Sequence, residues 1–294
     1  MHPDYRELLE RRFRVPLPQA GADKRMSLHD AVANFVQPGQ TLHMASTHTR
    51  PYGLAHELMR QHWGKDSKLT ISNISMGETW IGMFAGKFMK KTITTFAGDI
   101  WPYPSPNPVV NKVWLSGEVE IEHWSILSMT QRLMAGALRL PFITTNSLVG
   151  SSMAEDNELA GAFRTMDDPF GSEEKVGLLK ALRPDVTFIH VTACDVSGNA
   201  IITTPMGEGP LGAFAATGPV IVSTDHLVST EYLRRHNSSV KLPAHLVSAV
   251  VHVPLGGHPR GQTNVGCEDL DQYADDYNFQ YLVRKAGRGG EQAF

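Results

Sequence analysis

The stretch GQTLHMASTHTR (39–50), continued by PYGLAHELMRQH (51–62) and, past Gly64-Lys-Asp-Ser67, by LTISNIS (69–75), decides the fold. Pro38 and Gly39 stop what precedes it, Thr41 to Ala45 is a short apolar-rich run, Tyr52 to His62 reads as a helix, and Leu69 to Ile74 is β-rich again. A strand, a polar turn, a helix and a second strand are the start of a parallel β-α-β unit. The rhythm extends in both directions. Ser27 caps a helix running through Asp30 to Val36, and further β-rich runs occupy Lys91 to Phe96, Val119 to Glu122, Phe142 to Thr145, Val186 to Thr192 and Val220 to Ser223. Ile126 to Leu138 is helical between two of them. The expected fold class is α/β, an open and largely parallel doubly wound sheet.

The flanks differ from this centre. Residues 1–24 read as an appendage in which Asp4 to Leu9 starts a short helix that Pro16 and Pro18 end; 25–286 is the regular domain, and 287–294, with Gly289 and Gly290, is a flexible tail. Pro102 to Pro108 holds four prolines in seven residues, so it is neither a helix nor a central strand. It is a structural loop or a wall of a site, with Asn107 as its polar group. Met153 to Glu174, polar and weakly periodic, reads as a long surface excursion.

Composition excludes several classes. The 294 residues are 41% hydrophobic and 19% charged, which is globular and not disordered. Lys plus Arg number 27 against 30 Asp plus Glu, a net charge of −3 that leaves no chain-level footprint for nucleic acid. Two distant cysteines, Cys194 and Cys267, make neither a disulfide framework nor a zinc site, and no His-Glu-x-x-His pair accompanies the 13 histidines, so no metal is expected. The N-terminus lacks the apolar core of a secretory signal, and Gly, Pro or a charge interrupts every apolar run short of a membrane span. The expected location is the cytoplasm.

Open α/β folds bind ligands outside the carboxyl ends of their strands. Three polar turns lie there: Ala45 to Arg50, Ser72 to Gly77, and Phe96 to Asp99. Arg50 is the one permanent cation among them, and its fork of donors suits a carboxylate or phosphate; the alternative is a solvated arginine near a helix start. Ser46 and Ser75 can donate to a bound acyl group, with Gly77 admitting close backbone approach; such serines also serve as plain caps. Glu118, Glu120 and Glu122 share one strand face, opposite Val119, Ile121 and His123. Inside a cleft, mutual repulsion would raise a carboxylate and make a general base; on an open strand they are a solvated row. His190 and His252 lie in apolar strands as core or edge residues. Glu208, in Gly207-Glu-Gly-Pro, is either a carboxylate held where backbone approaches substrate or part of an ordinary turn.

Four blocks, in order, carry a family resemblance: Gly39-Gln-Thr-Leu-His-Met-Ala-Ser-Thr with Arg50; Gly117-Glu-Val-Glu-Ile-Glu with Arg132-Leu-Met-Ala-Gly-Ala and Leu140-Pro-Phe; Arg183-Pro-Asp-Val with Asp195-Val-Ser-Gly-Asn; and Pro243-Ala-His-Leu-Val with Val253-Pro-Leu-Gly-Gly-His-Pro. Together they resemble the α subunit of family I coenzyme A transferases, most closely the A-subunit group of glutaconate CoA-transferase. The resemblance implies a sheet of the CoA-transferase and sugar-phosphate isomerase type, a partner that is a homologous β subunit, with acyl-CoA and carboxylic acid for substrates. Coenzyme A is then a substrate, with no bound cofactor.

In such enzymes a β-subunit glutamate attacks the acyl-CoA carbonyl. Its Ser-Glu-Asn-Gly type motif is absent here, and Glu208 follows the Asp195 to Asn199 block, so the resemblance assigns no nucleophile to this chain. What it carries over is a substrate-binding wall of Ser46, Thr47 and Arg50, with Ser75 in the next strand-end loop; Gly77 and Asn107 join it on the reading of the turns. Ala45-Ser46-Thr47 stands where the family has Gly-Gly-Phe or Gly-Gly-Thr, and His123 where an acidic residue is common. Relatives that act as acyl-CoA hydrolases or decarboxylases offer a second reading, with Glu120 or Glu122 as acid or base. A ligand-sensing domain is a third, against which stands an N-terminal appendage too small for a helix-turn-helix.

Overall fold

Ser27 does cap the first helix: its hydroxyl accepts the Asp30 amide at 3.0 Å and opens α1 (Leu28–Phe35). The computed structural model describes residues 21–171 and 173–288. The helix expected over Asp4 to Leu9 and the tail after Arg288 lie outside the described residues. After α1 come β1 (Thr41–Met44), α2 (Tyr52–His62), β2 (Leu69–Met76), a 3-10 turn leading into the short α3 (Gly82–Ala85), and β3 (Met89–Ala97). Then follow α4 (Pro108–Ser116), β4 (Glu120–His123), α5 (Ile126–Ala137), β5 (Phe142–Thr145), α6 (Ser152–Leu159), β6 (Phe163–Asp167), β7 (Lys175–Lys180) and β8 (Val186–Cys194). The remainder comprises β9 (Ala200–Ile201), α7 (Gly209–Ala215), β10 (Val220–Leu227), α8 (Thr230–Arg235), β11 (Val240–Leu242), β12 (Ala249–His252) and α9 (Tyr277–Arg288).

Seven strands form one parallel sheet in the order β12-β10-β8-β1-β2-β3-β4, and β9 with β11 continues it antiparallel at the upper end of β8. Side-chain alternation splits the core between its two faces. Val186, Phe188, Ile221, Ala249 and Val251 pack with Ala31, Val32, Leu54 and Leu58 of α1 and α2. Their strand neighbours Ile189, Val191, Val220, Val222 and Val250 face Ala213 of α7. β8 is buried on both faces along its whole length and is mainly apolar, with Thr187, His190 and Thr192 as its buried polar residues. This is the open, doubly wound α/β sheet expected.

Two expectations fail in detail. Phe142–Thr145 is a strand, but it pairs antiparallel with β7 in a separate sheet, β5-β7-β6, rather than joining the main one. The span 153–174 is largely exposed, as a surface excursion should be, but it is built of regular elements. It supplies α6, capped by the Ser151 hydroxyl on the Ala154 amide, and β6, whose ladder with β7 satisfies the backbone while all but Phe163 of its side chains face solvent. A strand so exposed shows no alternation to read.

The proline-rich loop is pinned from within and from behind. Asn107 is buried; it caps α4 through the Val109 amide at 2.9 Å and donates to Asp99 at 2.8 Å. Arg284 of α9 pairs with Asp99 at 3.2 Å, donates to the Trp101 carbonyl and the Ser105 hydroxyl at 3.0 Å each, and lies over the Tyr103 ring.

Helix α5 approaches the neck of the second layer at Gly136, where a methyl group would run into the Leu182 carbonyl oxygen and the Ala215 side chain. Backbone cannot yield as a side-chain tip does. Gly136→Ala is expected to lower stability by about 1–3 kcal/mol, read as a lower urea midpoint at an unchanged m-value.

Candidate functional site

Strand order reverses between β1 and β8: the chain leaves β1 toward β2 on one side and later returns to place β8 on the other. Such a switch point opens a crevice at the carboxyl ends of the two strands. The first polar turn begins there. Ala45 still pairs with the Phe188 carbonyl at 2.9 Å; Ser46 then leaves the sheet and is gripped from both sides. Its amide donates to Oε1 of Glu208 at 2.9 Å, and its carbonyl accepts the Gly209 amide at 2.9 Å. Asn73 of β2 donates to the Ser46 hydroxyl at 3.1 Å and to the Met44 carbonyl.

Beyond Ser46 the turn holds itself. The Thr49 amide donates to the Thr47 hydroxyl, the Thr47 amide donates to the Thr49 carbonyl at 3.0 Å, and the Thr47 hydroxyl reaches the His190 carbonyl. Arg50 is half-buried, with its guanidinium 5.6 Å from the centre of the Trp80 ring. Ser75 is half-buried on the neighbouring strand end, its amide held by the Asn73 side chain at 2.6 Å. Ser46, Thr47 and Arg50 therefore lie in the turn after β1, with Ser75 near the end of the adjoining strand β2.

The other expected residues are placed differently. Gly77 makes room for Ile100, whose side chain fills the position a Cβ would take, so its lack of a side chain serves loop packing. Asn107 spends its amide on Asp99 and its carbonyl on the helix cap. Glu120 and Glu122 sit at the free edge of the sheet and line a cavity of about 790 Å³ with His123, Trp114 and Asn157. Glu120 is exposed and pairs with Lys91 at 2.8 Å. Glu122 is buried and takes Arg132 at 2.6 Å, Lys91 at 2.6 Å and the Trp124 indole N–H at 2.7 Å. Burial pushes its carboxyl upward, but Arg132, Lys91 and Trp124 outweigh it and hold the group below the ordinary range. A carboxylate so engaged keeps its charge and serves structure rather than proton transfer.

Glu208 has the opposite electrostatics. It is 5% exposed, and burial pushes its carboxyl up to about 7 against the Ser46 amide and the field of Arg50. The same Oε1 lies 3.8 Å from Nε2 of His43, a fully buried ring that burial lowers to about 3 and so keeps neutral. Two glycines admit this arrangement. Gly207, at φ +56°, and Gly209 pass so close to Ser46 and Thr47 that a side chain on either would strike the turn. The glycines flanking an acid are the one sequence signal for Glu208; Asn73 shows only as a polar residue inside an apolar strand.

A second buried network spans β8 and β10. His190 bonds Ser223 at 2.9 Å through Nδ1 and Asp225 at 3.1 Å through Nε2, and Tyr273 donates to Asp225 at 3.2 Å. The ring and the serine are wholly buried, so the trio ties two strands together without presenting a nucleophile. His190 is the core histidine expected. Among the described residues no three His, Cys, Asp or Glu side chains gather as a metal site, and no helix is long and apolar enough to cross a membrane.

Residues 25–253 match the family model described as coenzyme A transferase. An uncharacterized protein of Archaeoglobus fulgidus is 32% identical over 244 residues, 81% of this chain and 52% of that protein, so the chain spans about half the length of that relative. The A-subunit of the 3-oxoadipate CoA-transferase of Pseudomonas knackmussii is 28% identical over 80% of each chain. The A-subunit of the glutaconate CoA-transferase of Acidaminococcus fermentans is 25% identical over 80% of this chain and 77% of that one. Among solved structures, glutaconate coenzyme A-transferase of Acidaminococcus fermentans superposes with a TM-score of 0.78 over 92% of this chain and 86% of its own, at 23% identity. The decarboxylase AibA/AibB superposes with a TM-score of 0.75 over 92% and 95%, at 24% identity. Both structural matches show the shared fold.

Two outcomes follow from the charges. Glu208 is raised above its unfolded value of 4.5, so the stability it contributes is complete below pH 4.5 and lost as pH rises through about 7. Glu208→Gln removes that loss: relative to the parent the variant gains roughly 3 kcal/mol between pH 4.5 and pH 8, and parallel stability curves would contradict it. Arg132→Met removes one of the two cations on buried Glu122 and leaves Lys91 and Trp124, and is expected to cost about 2–3 kcal/mol, measured by denaturant unfolding at pH 7.

Proposed function

Because the chain belongs to the coenzyme A transferase family, we propose that it is the α subunit of a heteromeric CoA-transferase that moves CoA between an acyl-CoA and a carboxylic acid, with a homologous β subunit supplying the nucleophilic glutamate. Residues 25–286 form the working unit in this reading, flanked by 1–24 and 287–294, in the cytoplasm. The observation that carries it is the rim at the carboxyl end of β1, with Ser75 near the end of the adjoining β2: it carries hydroxyls and a cation, while Glu208 beside it is already bound to the Ser46 amide. A wall that binds but brings no free carboxylate is complete only with a second chain.

The partner's glutamate attacks the thioester carbonyl; the carbon–sulfur bond breaks, CoA leaves as thiolate, and an acyl-glutamyl anhydride remains. The thiolate then attacks the glutamyl carbonyl, releases the first carboxylate and forms a glutamyl-CoA thioester, which an incoming acid reverses. This chain supplies orientation: Ser46, Thr47 and Ser75 hold the acyl oxygen and Arg50 the free carboxylate, fixing the carbonyl for attack. Gly77 and Asn107 shape the adjoining loops.

A second reading, acyl-CoA hydrolysis or decarboxylation, places its chemistry in the cavity beside Glu120 and Glu122. The engagement of Glu122 with Arg132 and Lys91 favours the first reading.

The deciding experiment co-expresses the chain with a β-type CoA-transferase subunit, taken from beside its gene if one is encoded there, and follows acyl-CoA with and without acetate or succinate. Exchange that requires the acceptor supports the transferase, and thioester loss without acceptor supports the second reading. Arg50→Ala is expected to lower kcat/KM about 10- to 100-fold, chiefly through KM, with Arg50→Lys recovering part of it.

A further inference from the structure

One oxygen of Glu208 faces two partners that want different things from it. Oε1 accepts the Ser46 amide proton at 2.9 Å and lies 3.8 Å from Nε2 of His43. That ring nitrogen is buried and has no hydrogen-bond partner among the described residues, while Nδ1 is engaged with the Ser72 hydroxyl at 3.1 Å. A buried ring nitrogen left alone forfeits free energy that a donor at Oε1 would return. Gly212 passes so close to the ring that a Cβ there would lie 2.5 Å from Nε2, so the imidazole has little freedom to turn elsewhere.

We propose that Glu208 and His43 form a buried proton-sharing pair that sets the pose of the Ser46 to Arg50 turn, making Glu208 a positioning residue for the substrate this turn binds. As a carboxylate, Glu208 gives the Ser46 amide a charge-assisted bond and holds the turn against the sheet. With a proton on Oε1, and the His43 proton on Nδ1 toward Ser72, closing of the 3.8 Å gap makes it a donor to Nε2 of His43, and its bond to the Ser46 amide weakens. The exchange is one proton taken from solvent on one oxygen, with no other bond made or broken.

The charged and titratable groups around the pair are few. From β1 Glu208 meets His43, and from the β1–α2 turn it feels Arg50; Ser46 and, from β2, Asn73 are neutral, and the remaining contacts are backbone of its own turn. Arg50 sits in the turn that the pair controls, so a shift of that turn moves the cation as well as the hydroxyls. Burial places the Glu208 carboxyl at about 7, where both forms are populated. Calling the turn's ligand an acyl-CoA rests on the function proposed above; the pair itself does not.

The test is amide hydrogen exchange on the full chain, corrected for intrinsic rates, from pH 6 to pH 8. Protection of the Ser46 amide is expected to fall about tenfold from pH 8 to pH 6 in the parent and to stay level in Glu208→Gln, whose amide oxygen still accepts but cannot titrate. A level profile in the parent, or an unchanged slope in Glu208→Gln, overturns the proposal. Should that variant not fold, His43→Asn decides: removal of the imidazole acceptor moves the midpoint of the parent profile to lower pH, and an unmoved midpoint overturns it. In the assembled enzyme KM for acyl-CoA rises below pH 7 with kcat little changed, and Glu208→Gln flattens that rise. Absence of acyl-CoA turnover with the exchange profile intact refutes the functional reading and leaves the pair standing.

Discussion

Ser46 is held from both sides, its amide on the Glu208 carboxylate and its carbonyl on the Gly209 amide, and the rest of the crevice depends on that grip. The first bond joins residues 162 positions apart, and together they close the gap between the end of β1 and the start of α7. Without them the turn after β1 would be an ordinary surface loop. With them, Thr47 and Arg50 are presented from a backbone fixed by the sheet, as a binding wall needs if it is to orient a carbonyl. The arrangement also explains the run of glycines around Glu208, because the two turns approach more closely than side chains allow.

Two buried carboxylates elsewhere are held by cations. Glu122 is neutralised by Arg132 and Lys91 at the sheet edge, and Asp99 by Arg284 under the proline-rich loop. The first ties the edge strand to its neighbour β3 and to the helix that follows it, and the second ties the loop to a helix far along the chain. Arg284 lies beyond the 25–253 span that matches the coenzyme A transferase family model, and its helix clamps the proline-rich loop. Glu208 stands apart from these pairs. It is buried beside a neutral ring, its nearest help is a backbone amide, and burial leaves it near neutrality in a way the paired Glu122 is not.

The parallel centre of the fold is legible because strands buried on both faces read as apolar-rich runs and the helix that leads into β1 carries its Ser27 cap. β9 and β11, two and three residues long, are too short to have a period, and the exposed face of β6 hides its pairing. Phe142–Thr145 has the pattern of a strand and is one, yet which sheet it joins is settled by its ladder with β7, a contact that no local pattern encodes. The same division runs through the site. Ser46, Thr47 and Arg50 are visible as a polar turn after a strand. The alternating glutamates are visible too, but not their engagement with Arg132 and Lys91, which decides what Glu122 does. His43 is hidden inside an apolar strand, and only the tertiary fold brings it to Glu208.

The central claim is that this chain binds and orients while its partner attacks. It is tested most directly by incubating the assembled enzyme with acyl-CoA, trapping the glutamyl thioester with borohydride, and mapping the modified peptide by mass spectrometry. The account predicts a reduced glutamate in the partner chain and an unmodified peptide around Glu208. Modification of Glu208 would contradict it and place the nucleophile in this chain.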